Sequence, residues 1–471
     1  MHPSKYRFLY LGVVIMIDAL LINAGYILAF YARFGWDIPQ YNFVAYYTTW
    51  PWLTLAALAL FYFYRMYGAY QWRWAEVLAS LICIVFFQAL AGMALSYFFR
   101  GFAFPRIVLL TAPLIQFVLL AVWRRAAWHW QRRMQGKKRV VLVGRPADAF
   151  GLARKVEAFT SGCFEIAGIV LDASASGEGG ECDEYGEYGE YGEEIIKQWP
   201  VAGTMDHFCE CLDALDPDVV IVCSNVSQGN KAEVVYACVA RDKKVLLVPD
   251  LYEIMLAQAR LEQVDDVPVF SMGRLMIPEE SGMIKRLIDV MLSLAALAIA
   301  LPVLIVAVAA IKIDSPGPVL YRQKRLTLQG KPFYLYKLRT MVANAEQNCG
   351  PVLAEANDPR VTRVGKFIRS VRIDELPQLF NVIKGDMSII GPRPERPFFV
   401  DQFLREAPEY AYRMNVKSGI TGLAQIAGRY STSPANKLRY DLLYTRSFSL
   451  ARDLAILLQT VKVILMKDRA S

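Results

Sequence analysis

Apolar positions gather first into four nearly unbroken stretches, near Phe8–Phe30, Trp50–Met66, Val77–Phe99 and Ile107–Trp123. Each approaches the roughly 20 residues a helix needs to cross the hydrocarbon core of a bilayer. The first is too long for a secretory signal and lacks a small-residue cleavage site, so it reads as an anchor. The pattern then changes. Val140-Val-Leu-Val runs into a turn at Gly144, a helical stretch follows through Phe150–Phe159, and short apolar runs stand at Ile166–Leu171, Val219–Val222 and Val245–Val248, with a helix around Ala232–Ala240. Strands alternating with helices predict a Rossmann-like α/β domain with a parallel sheet.

A fifth apolar stretch, Val290–Ile311, is long enough to span, yet Pro302 stands inside it, where it removes a backbone hydrogen bond and kinks a helix. Lys285 and Arg286 precede this stretch, and Lys312, Arg322, Lys324 and Arg325 follow it. Basic residues on both sides keep both ends cytoplasmic. The expectation is a re-entrant helix over 283–313 that enters the membrane, bends at Pro302 and returns; a kinked fifth span would instead put all that follows on the far side.

Flanking charge orients the first four stretches. Lys5 and Arg7 precede the first, Arg65 and Arg73 lie between the second and third, and Arg124, Arg125, Arg132, Arg133, Lys137, Lys138 and Arg139 follow the fourth. The other two loops are poorer, with Arg33 and then Arg100 and Arg106, so both ends of this module face the cytoplasm. The fold expected is therefore an α-helical membrane bundle of four spans over 1–136, a Rossmann-like α/β domain over 137–270, and an α/β monotopic catalytic domain with a re-entrant membrane helix over 271–471.

Composition agrees: 55% of residues are hydrophobic and 13% aromatic, which fits a membrane protein with sizeable aqueous parts. The net charge of +8 suits nucleic acid, anionic lipid or phosphate-rich substrates. Beside membrane segments, the lipid bilayer and phosphate are the expected partners, and nucleic acid is not. The eight cysteines form no C-x-x-C framework, and the three histidines (His2, His129 and His207) are scattered. Zinc and histidine-based catalysis are thereby set aside. Arg145 and Pro146 follow Gly144 where a second glycine would let a dinucleotide approach, so the α/β domain reads as a scaffold or regulator. The acidic repeat from Asp183 to Glu194 has no apolar face to bury and reads as a solvated loop.

The chemistry lies in the last 190 or so residues. Asp314-Ser-Pro-Gly-Pro leads into a strand and a basic cluster. In Tyr334-Leu-Tyr-Lys-Leu-Arg-Thr-Met, Lys337 and Arg339 alternate onto one face of a strand, an arrangement suited to a diphosphate. Arg369-Ser-Val-Arg-Ile-Asp-Glu-Leu-Pro-Gln places Asp374 and Glu375 directly after Arg372. In Gly385-Asp-Met-Ser-Ile-Ile-Gly-Pro-Arg-Pro-Glu, Pro392 and Pro394 fix the backbone around Arg393, with Glu395 next. Cations around a carboxylate pair, without histidine or cysteine, suit Mg²⁺-assisted phosphoryl transfer, with Asp374 and Glu375 as candidate metal ligands. Leu450–Met466 mixes apolar and charged residues and fits an interfacial helix or a core helix equally well.

Lys-x-Arg-Thr-Met, Arg-x-Asp-Glu-Leu-Pro-Gln, Gly-Asp-Met-Ser-Ile-Ile-Gly-Pro-Arg-Pro-Glu and Ser418-Gly-Ile-Thr-Gly-Leu-Ala-Gln stand here nearly as the bacterial sugar transferases write them. From Lys285 onward the chain resembles their catalytic domain, that of the polyprenyl-phosphate hexose-1-phosphate transferases of the monotopic phosphoglycosyl transferase superfamily. The preceding parts resemble the long form. The resemblance implies that Asp374 is the nucleophile, attacking the β-phosphate of a UDP-sugar, expelling UMP and holding the sugar phosphate as an acyl phosphate. Undecaprenyl phosphate would then accept it, in the first membrane step of polysaccharide synthesis at the bacterial inner membrane. Glu375 would assist with magnesium or protons, Lys337, Arg339 and Arg372 would bind phosphates, and Arg393 the nucleotide end. Glucose or galactose is the favoured sugar, and a homodimer is expected. Small members carry Ser-Pro at the helix bend, whereas here Leu301 precedes Pro302. Two other readings stand beside this one. A glycosyltransferase would release UDP, but its Asp-x-Asp signature is not evident; a membrane scaffold for polysaccharide assembly would need no chemistry.

Overall fold

The computed structural model describes residues 3–99, 104–159, 162–172, 199–257, 259–273, 275–342, 358–428 and 432–466. The acidic repeat lies outside the described residues, as do Arg100, Cys182 and Cys349. The six described cysteines form no disulfide. The chain divides into two compact units, Met1–Asp250 and Leu251–Ser471.

The first unit opens with α1 (Pro3–Phe34), α2 (Gln40–Phe63), α3 (Trp74–Phe98) and α4 (Arg106–Gln135). Tyr26, Phe30, Leu53, Val108 and Ala112 form the core of this bundle. Two polar pairs lie inside it: Tyr46 Oη donates to Asn23 Oδ1 at 2.7 Å, and Arg124 pairs with the fully buried Asp18. Among the described residues, four helices are long and apolar enough to cross a membrane: α1, α3, α4 and the helix Glu279–Asp314 of the second unit. Three of the four amino-terminal stretches predicted from hydropathy are thus in this set. α2 is a helix of 24 residues but is not among the four. It begins at Gln40, ten residues before the predicted stretch. Its Tyr, Trp and Thr residues weigh little on a hydropathy scale although they suit an interfacial position.

β1 (Lys138–Gly144), α5 (Pro146–Phe159), β2 (Phe164–Leu171), β3 (Val201–Thr204), α6 (Phe208–Leu215), β4 (Val219–Val222), α7 (Gln228–Ala240) and β5 (Lys244–Leu247) complete this unit. The strands form one parallel sheet in the order β3-β2-β1-β4-β5. Alternate residues of the continuous apolar strands face opposite sides. Val141, Val143, Val220 and Val222 pack with Phe208, Val234 and Cys238, while Val140, Leu142, Val219 and Ile221 pack toward Phe150 and Ala153. Burial on both faces explains why these strands read as unbroken apolar runs.

The second unit contains α8 (Leu251–Leu256), the hairpin β6 (Arg260–Val264) and β7 (Val267–Ser271), and α9 (Glu279–Asp314). It continues with the antiparallel pair β8 (Leu320–Leu326) and β9 (Pro332–Leu338), then α10 (Arg363–Ser370), α11 (Gln378–Lys384) and β10 (Ser388–Ile390). It ends with α12 (Pro397–Glu406), β11 (Gly419–Thr421), α13 (Leu423–Ala427), α14 (Pro434–Arg446) and α15 (Leu450–Leu465). Ile254 of α8 packs with Leu438 and Leu442 of α14. α15 buries Ile456 and Val463 in a core with Phe333, Leu335, Val382 and Met387, so it is a core helix.

The 36-residue α9 includes Pro302 and exposes most of its apolar side chains, Ile299 and Val306 among them. Both of its ends pack on the same folded unit. Near its start, Arg286 donates to Ile383 O at 2.8 Å and Lys285 Nζ lies 2.6 Å from Asp453 Oδ2. Near its end, Leu304, Ala307 and Ile311 pack against Leu338 and Ile368.

Candidate active site

The carboxylate pair sits where α10 gives way to a short 3₁₀ turn, Ile373–Glu375. Arg372 makes the bend with φ at 56°, a left-handed conformation uncommon outside glycine. The turn leaves Asp374 8% exposed. No hydrogen bond or ion pair holds its carboxylate among the described residues. Burial raises its pKa above the ordinary value; Lys337 lowers it, and Glu375 adds to the rise.

Glu375 is the opposite case. Its Oε1 lies 2.7 Å from Arg393 Nη2 and 3.2 Å from Lys337 Nζ, and its Oε2 lies 3.9 Å from Arg372 Nη1. Burial alone would raise its pKa, but Arg393 and Lys337 outweigh burial and hold it below the usual carboxylate range. Lys337 is lowered by burial, against the pull of Glu375. Glu375 raises Arg393. Two adjacent carboxylates therefore differ in kind: one is ionised and clamped, the other buried and unattached.

Lys337 arrives on β9 as predicted from strand alternation. Arg339 follows two residues later, but its guanidinium donates to Ser315 O at 2.6 Å, Ser315 Oγ at 2.8 Å and Pro316 O at 3.0 Å. It ties the turn after α9 to the end of β9 and does not join the cluster on Glu375. Of the predicted cations, Lys337, Arg372 and Arg393 come together.

The segment 391–395 is fixed more thoroughly than its prolines alone would achieve. Gly419 N donates to Pro392 O at 2.8 Å, Arg413 Nη2 to Arg393 O at 2.9 Å, Arg325 Nη1 to Pro394 O at 3.0 Å and Leu326 N to Glu395 O at 3.2 Å. Pro392 and Pro394 thus act through their carbonyls as well as their rings. Glu395 Oε2 lies 3.5 Å from Arg325 Nη1, away from Glu375. Arg413 is itself buried against Asp441 at 3.0 Å. The backbones crowd here: a Cβ on Gly391 would lie 2.3 Å from Lys417 O. Arg325 belongs to the basic cluster after Asp314, but nothing in the sequence says that it clamps Pro394; Arg413 and Asp441 lie far away in sequence and no motif marks them.

The residues present fit a divalent cation only in part. Among the described residues no group of three or more His, Cys, Asp or Glu could hold a metal ion. Glu375 is already engaged by three cations, which leaves Asp374 as the one free carboxylate of the pair. Such a site needs oxygens from a phosphorylated substrate, the usual mode for Mg²⁺.

At the carboxyl ends of the α/β domain's strands, described polar side chains bond to one another. Asp172, at the end of β2, accepts from Asn230 Nδ2 at 2.9 Å, and Asn225 Nδ2 donates to Asp148 at 2.7 Å across the β1–β4 crossover.

A helix long and apolar enough to cross a membrane is thus seated on a unit that carries a cation-clamped carboxylate beside a free one. Comparison with known proteins narrows the class. The bacterial sugar transferase model matches residues 280–467. The UDP-glucose:undecaprenyl-phosphate glucose-1-phosphate transferase of Caulobacter vibrioides is 45% identical over 193 residues, 40% of this chain and 71% of that protein. A putative undecaprenyl-phosphate N-acetylgalactosaminyl 1-phosphate transferase of Bacillus subtilis is 56% identical over 131 residues, 28% of this chain and 73% of that protein. The UDP-N-acetylgalactosamine-undecaprenyl-phosphate N-acetylgalactosaminephosphotransferase of Aeromonas hydrophila is 43% identical over 206 residues, 43% of this chain. There the match spans about half of the relative's length, 48%. The chain belongs to the bacterial sugar transferase family.

Proposed function

We propose that the protein transfers a sugar-1-phosphate from a UDP-sugar to undecaprenyl phosphate at the cytoplasmic face of a bacterial inner membrane. The observation that carries this reading is the unattached, buried Asp374 beside a Glu375 held by three cations. In the first step an Asp374 oxygen attacks the β-phosphorus, and the bond from that phosphorus to the bridging oxygen of UMP breaks. Lys337, Arg372 and Arg393, gathered around Glu375, would offset the charge of the diphosphate. In the second step a phosphate oxygen of the lipid attacks the same phosphorus, and Asp374 leaves as a carboxylate. Mg²⁺, held by Asp374 together with the donor's phosphate oxygens, would supply charge neutralisation. The relatives act on glucose and on N-acetylgalactosamine, as their names state. Glucose or galactose stays the first choice of sugar here, with the N-acetylated sugars to be tried beside them.

The two ends of α9 support a re-entrant course. Both pack on one folded unit, and a helix that crossed the bilayer would part them by its thickness. On this reading Pro302 would mark the bend. The test of the reaction is product identity: purified full-length protein, undecaprenyl phosphate, Mg²⁺ and a panel of UDP-sugars should release UMP with one donor. Release of UDP would make it a glycosyltransferase.

A further inference from the structure

One turn of α9 bonds two of the three residues of β10 directly and is linked to the third through Asp453 and Tyr444. Asp289 is 6% exposed. Its Oδ2 accepts from Ser388 Oγ at 2.7 Å and its Oδ1 from the Ile389 N–H at 3.2 Å. One turn earlier, Lys285 pairs with Asp453. The Tyr444 hydroxyl lies 2.9 Å from Asp453 Oδ1 and 3.2 Å from Ile390 O. β10 is paired only with the three-residue β11 in its sheet. A two-stranded pair is marginal by itself, so its position depends on what braces it. β10 leads directly through Gly391 and Pro392 to Arg393, which reaches Glu375 at 2.7 Å.

We propose that Asp289 is a positioning residue: by clamping β10 it sets where Arg393 meets Glu375, and so transmits the seat of the membrane helix to the active centre. Neither partner of Asp289 touches the carboxylate pair, so its effect on turnover must pass through β10. Lys285, Arg286, Asp386, Lys417 and Asp453 are charged groups around this region. The effect on turnover rests on the proposed transfer reaction; the effect on β10 does not.

The experiment uses the full chain in lipid nanodiscs and reads hydrogen exchange and turnover. Asp289→Ala should speed exchange at residues 388–393 while β9 keeps its protection, and should lower kcat about tenfold. Asp289→Asn, which retains an acceptor, should restore most of both. In an Arg393→Ala background Asp289→Ala should have almost no further effect on kcat, because residues that act through one another are not additive. Equal loss in both backgrounds, or unchanged exchange at 388–393, overturns the proposal. Ser388→Ala removes a single hydroxyl and is read by the same cycle if Asp289→Ala does not fold. If the wild-type protein releases no nucleotide, the transferase reading falls, and exchange at 388–393 alone decides the role of Asp289.

Discussion

Arg393 Nη2 lies 2.7 Å from Glu375 Oε1, the oxygen that Lys337 also reaches at 3.2 Å. This sharing makes Glu375 the anchor of the site and leaves Asp374, its neighbour in sequence, without a counterion of its own. Environment thus separates two carboxylates that sequence presents as equals.

The pH dependence of the first step follows from that separation. A nucleophilic Asp374 must be ionised, and its pKa lies above the ordinary carboxylate value because it is buried. Activity should therefore rise with pH through this raised pKa. Lys337 lowers the Asp374 pKa and Glu375 raises it. Lys337→Met should move the acid limb of kcat/KM to higher pH and lower kcat by about 100-fold. Glu375→Gln should move the limb to lower pH. Opposite or absent shifts in the pH–rate profiles would detach Asp374 from the rate.

Arg413 and Asp441 form a buried pair beneath the Arg393 loop. Removing Arg413 alone leaves a buried carboxylate uncompensated, so Arg413→Ala should cost about 3–5 kcal/mol, read from denaturant unfolding in detergent. Burial, against the pull of Arg413, raises the Asp441 pKa to about 6. Its folded value exceeds its unfolded one, so its contribution to stability is full below the ordinary carboxylate pKa and is lost as pH rises toward about 6. Asp441→Asn should flatten the stability–pH curve in that window.

Gly391 and Gly419 bring two backbones into contact; a Cβ on Gly419 would lie 2.1 Å from Gly391 N. Gly391→Ala should destabilise by about 1–3 kcal/mol, as overpacking does. It should also lower turnover by displacing Arg393. A melting curve and a rate on the same sample check both.

If α9 bends back, its ends share one face of the membrane. Met283→Cys and Ile313→Cys, both at exposed positions, should react with an impermeant maleimide only in inside-out vesicles. Reaction of one from each side would mean that α9 spans.

The parallel sheet was legible because its strands are short runs of Val, Leu and Ile at helix-separated intervals. The Asp374–Glu375 pair with Lys337 and Arg393 was legible because the motifs place charge beside fixed turns. Three features were hidden. The start of α2 was masked by aromatic and Thr residues of low hydropathy. Arg339 falls one residue past the end of β9, and periodicity cannot say that its guanidinium turns to Ser315 and Pro316. The carbonyl clamps on 391–395 come from Arg325, Leu326, Arg413 and Gly419, contacts that only the tertiary fold creates.

The most direct measurement is mass spectrometry of the protein quenched after mixing with UDP-sugar and Mg²⁺ in the absence of lipid. The account predicts a sugar-phosphate adduct on the peptide containing Asp374, formed with one equivalent of UMP and absent in Asp374→Asn. UMP release that requires the lipid, with no adduct on the protein, would mean direct transfer and would contradict the covalent role of Asp374.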